Sequence, residues 1–334
     1  MTPASAAGRR ALSLLAVVVA LLVTTAAVAA ATPLKVSLGI VTVSSQMALD
    51  IAATQGIFAR HGFDVEVHPL ASGAQANQAL AANQVDWSAG GIESTIIAAS
   101  AGLPFKPYAM YAKGGDSLGL LVRRDAKIGS PVDLKGKRIA VVAGTASAQG
   151  LSDLLQANHI EDADVRRVNA NFGTMGQMLA SGAVDGMVGL EPFLTVTQDR
   201  LGDSVVLLTR FGRYVQGGGF FLISDRWAAA HPDQIEPAVE ALAEALQFIR
   251  HHPDAAAHLV APFLNTDADV IVRSSKVFDF AFDIDSFTIA SLRKTSDYLA
   301  RQKMIPQPVD VDRLIAPAIR VTSDLRQHRP DLLR

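Results

Sequence analysis

Between residues 34 and 225, short apolar runs alternate with segments in which apolar residues recur at helical spacing. The apolar runs predict strands, the first over Leu34–Val41, and the periodic segments predict helices, the first over Met47–Arg60. Strands that alternate with helices usually pair in parallel through right-handed crossovers. The pattern therefore predicts an α/β fold, followed from Asp225 by a largely helical remainder.

Two 15-residue stretches that lie 99 positions apart, Ser72–Asp86 and Asn171–Asp185, share one pattern. Each predicts a capped helix of about three turns, a short turn and then a strand. Each strand runs into a glycine and a glutamate, Glu93 in the first copy and Glu191 in the second. Ligands of open α/β sheets bind beyond the carboxyl ends of strands, so the repeat predicts two similar lobes around a shared cleft.

The two repeat aspartates, Asp86 and Asp185, precede their strands, and we expect both to be structural. Trp87 follows the first of them and is expected in the core.

Glycine breaks predict where the chain passes between the lobes. An extended segment, Leu118–Arg124, follows the break at Lys113–Asp116, and Gly217–Gly219 precedes a second apolar run. We expect lobe 1 over residues 32–117 and 220–334, including the helical C-terminal part, and lobe 2 over 118–219. Two crossings fit a hinge that closes around a ligand.

Residues 1–31 have the pattern of an export signal. Arg9 and Arg10 precede an uncharged apolar run, and Ala29–Ala31 form an Ala-x-Ala cleavage site. An uncleaved anchor is the alternative, since the run nearly reaches the roughly 20 residues that span a bilayer. Because the chain has no cysteine, a lipid-anchored lipoprotein and thiolate chemistry are excluded. We expect cleavage near Ala29–Ala31 and a periplasmic protein, exported by the Sec or the twin-arginine route.

Charge and motifs exclude several classes of function. Without residues 1–31 the chain has 28 basic and 32 acidic residues, which predicts no nucleic-acid partner. The chain contains no P-loop, dinucleotide fingerprint, His-Glu-x-x-His or Gly-x-Ser-x-Gly motif. Three histidines, His251, His252 and His258, lack a supporting carboxylate pattern and are expected at the surface. Glu93 and Glu191 could form an acid/base pair, but no nucleophile accompanies them. We therefore expect no catalytic residue, no metal and no cofactor.

Three predicted helix starts lie where strands end, at Ser72-Gly73, Gly91-Ile92 and Gly144–Ser147. Free backbone N–H groups and the positive end of the helix dipole make such positions suitable for polar ligands. Ordinary N-capping explains any one of them. The three together favour a ligand site.

Seven segments also match one known family. They are Gln55–Phe58, His61–Val65, Ser72–Ala74, Asn83–Asp86, Ala101–Pro104, Asp133–Val141 and Glu191-Pro192. Together they resemble the periplasmic solute-binding proteins of ABC importers for sulfonates, taurine, nitrate and thiamine-pyrimidine precursors. The resemblance covers Leu34–Arg200 and extends to the C-terminal third only in general pattern. It implies a type II periplasmic-binding fold, in which two α/β lobes joined by two crossover strands close on a small molecule.

The resemblance also implies which residues bind the ligand. In the family, contacts come from the loop after the first strand, the Ser-Gly helix start, the glycine turn after the third strand, the Gly-Thr turn of lobe 2 and the Glu-Pro position. Carried over to this chain, the implied ligand-binding residues are Thr42, Ser44, Ser45, Gln46, Ser72, Gly73, Gly91, Ile92, Glu93, Thr145, Ala146, Ser147 and Glu191.

One departure from the family affects the choice of ligand. Sulfonate-binding relatives tend to place small hydroxyl residues after the glycine that matches Gly91, whereas this chain has Ile92-Glu93. An uncompensated carboxylate close to a sulfonate would cost on the order of 1–4 kcal/mol. We therefore expect a neutral or nitrogen-bearing ligand. The alternative is that Glu93 points to solvent as an early helix residue.

The sequence thus predicts a binding protein and not an enzyme. The expected partners are a small solute and the permease and ATPase of an ABC importer, and we expect a monomer. A ligand-sensing domain for a signalling partner is one alternative. An enzyme of the thiamine-pyrimidine synthase type is another, but that family relies on a Cys-rich motif that this chain lacks.

Overall fold

The computed structural model describes residues 32–41, 43–70, 72–282 and 284–333. The residues Lys35–Arg334 form one compact unit. The expected export signal over residues 1–31, and Thr42 of the expected site, lie outside the described residues.

In this part of the chain ten strands form two five-stranded sheets. The first sheet has the order β2-β1-β3-β10-β4 and the second has the order β7-β6-β8-β5-β9. The strands are β1 (Leu34–Val41), β2 (Phe63–Leu70), β3 (Trp87–Gly91), β4 (Phe105–Lys113), β5 (Leu118–Arg123), β6 (Arg138–Val141), β7 (Arg166–Asn169), β8 (Gly186–Leu190), β9 (Val205–Arg210) and β10 (Gly218–Ser224).

Helices connect most of these strands and form the C-terminal part. They are α1 (Met47–Thr54), α2 (Ile57–Arg60), α3 (Gly73–Ala81), α4 (Ile92–Ser100), α5 (Ala146–Ala157), α6 (Phe172–Ala180), α7 (Phe193–Leu201), α8 (Asp225–Ala230), α9 (Ile235–His251), α10 (Pro253–Leu264), α11 (Ala268–Ser275), α12 (Ser286–Arg301) and α13 (Val311–His328). None of the helices within the described residues is both long and apolar enough to cross a membrane.

The sheets confirm the α/β class but not parallel pairing throughout. The pairs β1–β3, β6–β7 and β6–β8 are parallel, whereas β5 and β10 run antiparallel to both of their neighbours. Each of these two strands arrives directly from the other sheet, so no helical crossover constrains its direction. The expectation of parallel pairing is therefore wrong for the two crossover strands.

The two crossings lie side by side. The Gly114 N–H donates to the Gly217 carbonyl oxygen over 2.9 Å. A Cβ atom at Gly115 would lie only 1.9 Å from the Val215 carbonyl oxygen, so this close approach requires glycine. The two-lobed architecture with two crossovers is confirmed, while the residue boundaries at 117/118 and 219/220 stay a prediction.

The internal repeat is a repeat of structure. Helices α3 and α6 have nine residues each and strands β3 and β8 have five, at the same spacing as in the sequence. The Asp86 carboxylate accepts the backbone N–H of Ser37 in β1, and the Asp185 carboxylate accepts that of Arg138 in β6. Both aspartates thus bind a neighbouring strand to the start of β3 or β8, which is the structural role predicted for them.

Hydrophobic cores lie between each sheet and its helices. Helices α4, α12 and α13 pack on the first sheet, and helices on both faces cover the second. Trp87 is fully buried among aromatic rings that include Phe63 and Trp227, which confirms it as a core residue. One predicted helix, Met47–Arg60, is divided into α1 and α2, because Gly56 between them has a φ of 64°.

Replacement of Asp185 with alanine should lower the free energy of unfolding by about 1–3 kcal/mol, because it leaves the backbone N–H and the Nε–H of Arg138 without their acceptor. Urea unfolding followed by circular dichroism measures the change. The matched control is Asp312→Ala, which removes an exposed ion pair with Arg293 and should cost less than about 1 kcal/mol. Equal losses in the two variants would contradict the structural role of Asp185.

Candidate functional site

The start of α4, from the first sheet, meets the start of α5, from the second. The backbone N–H of Ala146 hydrogen-bonds the Glu93 carboxylate. One turn further along α4, the Ile97 Cδ1 atom lies 3.7 Å from the position of a Cβ atom at Gly144. Helix α4 of the first sheet therefore contacts the start of α5 on the second sheet, at the place where the expected ligand site lies.

Glu93 is buried at this junction, with 5% of its surface exposed. Burial raises the pKa of its carboxyl group to about 7, and its own N–H and that of Ala146 offset only part of the shift. The Oε1 atom has no hydrogen-bond partner within the described residues. The alternative in which Glu93 points to solvent is therefore wrong.

The N–H groups at the start of α5 are all occupied. The Ala146 N–H bonds Glu93, the Ser147 N–H donates to Thr145 Oγ1, and those of Ala148 and Gln149 donate to the Thr145 carbonyl oxygen. The side-chain hydroxyls are also engaged, because Thr145 Oγ1 donates to the Val142 carbonyl oxygen and Ser147 Oγ to that of Val188. This helix start has no free donor for an anion.

The loop after β1 is held by a tyrosine that the sequence interpretation missed. The Ser45 and Gln46 side chains hydrogen-bond the hydroxyl of Tyr111, a buried residue whose pKa is raised by burial. Gln46 Oε1 also accepts the Val41 N–H at 2.8 Å. The Ser44 hydroxyl is fully buried and has no partner among the described residues. Tyr111 lies near the carboxyl end of a predicted strand, a position that could have identified it.

Tyr111 connects this loop to the neighbourhood of Glu93. A Cβ atom at Gly219 would lie 2.2 Å from the Tyr111 hydroxyl, and Gly219 pairs with Gly91 across β10 and β3. A Cβ atom at Gly91 would meet nothing closer than 3.9 Å and would lie 4.0 Å from Glu93 Oε2. The Gly91 position therefore has room for a methyl group in ordinary contact with the Glu93 carboxylate.

The remaining residues of the first lobe take different positions. Ser72 caps α3 by accepting the Gln75 N–H at 3.2 Å and is exposed. Gly73 lies against α4, since its Cβ position is 3.3 Å from Ser94 Oγ. The Ile92 side chain is buried in the hydrophobic core of the first sheet, so only its backbone is available to a ligand.

Glu191 is also fully buried, but both of its carboxylate oxygens are satisfied. Oε2 accepts the Thr195 N–H and hydroxyl at 3.1 and 2.8 Å, and Oε1 accepts Arg210 Nη2 at 2.9 Å. Glu191 therefore binds the first turn of α7 to β9. A ligand contact by Glu191 stays a prediction.

Gln149 is a further buried polar residue that the sequence interpretation missed. It is 1% exposed, and its Oε1 atom has no partner among the described residues. It lies three residues after Ala146 on the same face of α5. That spacing within a predicted helix was the available signal.

Ion pairs join the two halves of the structure away from Glu93. Lys294 of α12 lies 2.9 Å from Asp153 of α5 and also donates to the Tyr214 carbonyl oxygen. Arg273 of α11 pairs with Asp199 of α7. These contacts connect the helical C-terminal part to helices of the second sheet.

Two of the three singled-out histidines, His251 and His252, line a surface depression of about 390 Å³ together with Arg60 and Glu244. The third, His258, bonds the Asp254 carbonyl oxygen with its ring. Within the described ranges no group of three or more His, Cys, Asp or Glu residues is arranged to hold a metal ion.

The family model described as NMT1/THI5 like matches residues 45–256. A Bacillus subtilis (strain 168) protein named for aliphatic sulfonate binding is 25% identical over 259 residues, 77% of this chain and 78% of its own length. The alkanesulfonate-binding protein SsuA from Xanthomonas axonopodis pv. citri, solved with bound MOPS, superposes with a TM-score of 0.72 at 22% identity. The match covers 86% of this chain and 98% of that one.

The desulfurization enzyme DSZB shares the fold as well. Its cysteine-to-serine variant, solved with biphenyl-2-sulfinic acid, superposes with a TM-score of 0.67 at 19% identity. The match covers 88% of this chain and 99% of that one. The fold of the chain is therefore that of periplasmic binding proteins, and it also occurs in an enzyme.

The stability of the ligand-free protein should depend on Glu93 ionisation. Its pKa rises from 4.5 to about 7 on folding, so stability is full below pH 4.5 and falls as the pH rises towards 7. Glu93→Gln removes this loss and should stabilise the protein by about 1–3 kcal/mol at pH 8, with little effect at pH 4. Thermal and urea unfolding at both pH values measure the difference.

Two comparisons make this test specific. The variant Asp50→Asn should gain a similar amount of stability at pH 8, because Asp50 is buried on α1 and burial raises its pKa to about 7. The variant Glu66→Gln should gain no stability, because the Glu66 side chain is 80% exposed. If the Glu93→Gln variant is no more stable than wild type at pH 8, the Glu93 carboxylate is not buried as an uncompensated charge.

Proposed function

The chain belongs to the NMT1/THI5-like family, and we propose that it is the periplasmic solute-binding component of an ABC importer. The observation that carries the proposal is the junction of α4 and α5, where the Glu93 carboxylate meets the Ala146 N–H. Glu93 Oε1 is buried there without a partner in the described residues, and Gln149 Oε1 is likewise unpaired within α5. Buried polar atoms of this kind favour a ligand that supplies the missing hydrogen bonds. The relative named for aliphatic sulfonate binding supports the same class of function.

In the proposed cycle the two crossings act as a hinge. The solute enters between the lobes when α4 and α5 separate, and closure then surrounds it. A solute favours closure only to the extent that it binds the closed state more tightly than the open state. The closed, loaded protein then delivers the small polar organic solute to a membrane permease that works with an ATPase.

The proposed ligand contacts are a subset of the residues implied by the family resemblance. They are Ser44, Ser45, Gln46, Ser72, Gly73, Gly91 and Glu93, with Gln149 added, whereas the Ala146 N–H is already bonded to Glu93. Thr145, Ser147 and Glu191 have their side-chain oxygens bonded within the protein, so we propose that they shape the cleft and do not contact the solute. Ile92 contributes only its backbone.

An enzyme of the same fold is the second candidate, because DSZB is a structural neighbour. The chain has no cysteine, and Glu93 and Glu191 have no nucleophile or metal motif beside them. A sensor domain is the third candidate. The genes that neighbour the gene of this protein distinguish sensing from import: a permease and an ATPase favour import, and a histidine kinase favours sensing.

A thermal-shift screen of sulfonates, nitrate, bicarbonate, pyrimidines and amino acids tests the proposal, and calorimetry and X-ray scattering then characterise any hit. We expect micromolar or tighter binding and a smaller radius of gyration in the bound state. Gly91→Leu should weaken binding by about 30-fold or more, because a side chain at this position extends towards the Glu93 carboxylate, whose Oε2 atom lies 4.0 Å from the Cβ position.

The matched control is Gly129→Leu. Gly129 is exposed, and a Cβ atom there would likewise meet nothing closer than 3.9 Å, so this variant should bind as wild type does. Equal binding by the two glycine variants would contradict a site between the lobes.

A further inference from the structure

We propose that Glu93 makes the cleft selective for a ligand with a cationic or N–H-donating nitrogen group and excludes sulfonates. This inference rests on the proposed function and concerns the ligand class of the same site. It goes beyond the similarity to sulfonate-binding proteins, because it predicts that this chain does not share their ligand.

The protein itself supplies the anion at the start of α5. This helix has 12 residues, and its N-terminus would otherwise be the natural place for a ligand's negative group. All four of its first N–H groups have partners within the protein, and the partner of the outermost one is the Glu93 carboxylate. A sulfonate would have to displace Glu93 to reach these donors.

Glu93 also lacks a donor. Its Oε1 atom is buried and has no partner in the described part of the chain, and its Oε2 atom lies 4.0 Å from the position of a Cβ atom at Gly91, where the backbone carries no side chain. An ammonium, amidinium or amino group can donate to such an oxygen, whereas a sulfonate has no proton to donate and repels the ionised carboxylate. Gln149 Oε1, one turn further along α5, is also buried without a partner among the described residues.

Among the described residues, no charged side chain contributes to the shift in the pKa of Glu93. Lys113 pairs with Asp279 and Asp285, and Lys294 pairs with Asp153. Arg210 is bonded to Glu191. These three cations are thus already paired with carboxylates of the protein.

Isothermal titration calorimetry of the mature protein with four probes tests the inference. The probes are ethanesulfonate, taurine, 4-aminopyrimidine and benzamidine. Wild type should bind 4-aminopyrimidine or benzamidine at least about tenfold more tightly than ethanesulfonate. Glu93→Ser removes the carboxylate and frees the Ala146 N–H, so it should reverse this order and gain ethanesulfonate binding.

Glu66→Ser is the matched control, because Glu66 is exposed on β2 and its loss should change none of the affinities. Circular dichroism checks that both variants fold. Micromolar binding of ethanesulfonate or taurine by wild type would overturn the inference while supporting the proposed function. A Glu93→Ser variant that gains no affinity for ethanesulfonate would overturn it too. If none of the probes binds either protein, the inference fails, and the proposed function fails as well only if the wider solute screen gives no hit.

Discussion

A carboxylate that is withdrawn from water must find hydrogen-bond donors, and in this protein that requirement joins the two sheets. Glu93 belongs to a helix of the first sheet, yet the donor beyond its own residue is a backbone N–H at the first turn of a helix on the second. Helix starts are where unpaired N–H groups are available. The contact gives the Ala146 N–H of α5 a hydrogen-bond acceptor. It leaves one Glu93 oxygen without a donor, and this oxygen determines which ligand groups can bind beside it.

The internal repeat explains why only one of the two acids takes this role. The two copies keep the same spacing through α3–β3 and α6–β8, and then differ. Helix α4 begins directly after β3, so Glu93 is its second residue. Glu191 and Pro192 are placed between β8 and α7, so Glu191 precedes its helix and bonds Thr195 and Arg210 instead. A duplicated framework therefore carries an asymmetric cleft, in which one acid supports its own lobe and the other spans the two.

Local patterns predicted the framework well, because strands, caps and repeats depend on nearby residues. Strand β1 has its expected bounds, and Asp86 and Asp185 have their expected roles. The direction of β5 and β10 could not be predicted, because it depends on which sheet each strand joins. The partners of Tyr111 were likewise hidden, since Ser45 and Gln46 become its neighbours only through tertiary packing. The hydroxyls of Thr145 and Ser147 were expected at a ligand, but capping and the Val188 carbonyl oxygen engage them.

Burial of Glu93 also links ligand identity to closure in the proposed cycle. The pairs Lys294–Asp153 and Arg273–Asp199 join the two halves, but each includes a half-exposed cation, and such pairs contribute little, about 0–1 kcal/mol. Desolvation of Glu93 opposes closure, because its carboxylate loses water and gains too few donors. A nitrogen-bearing ligand supplies the missing donor and removes that opposition, whereas an anion adds repulsion to it. The group that selects the ligand is therefore also the group that makes closure depend on the ligand.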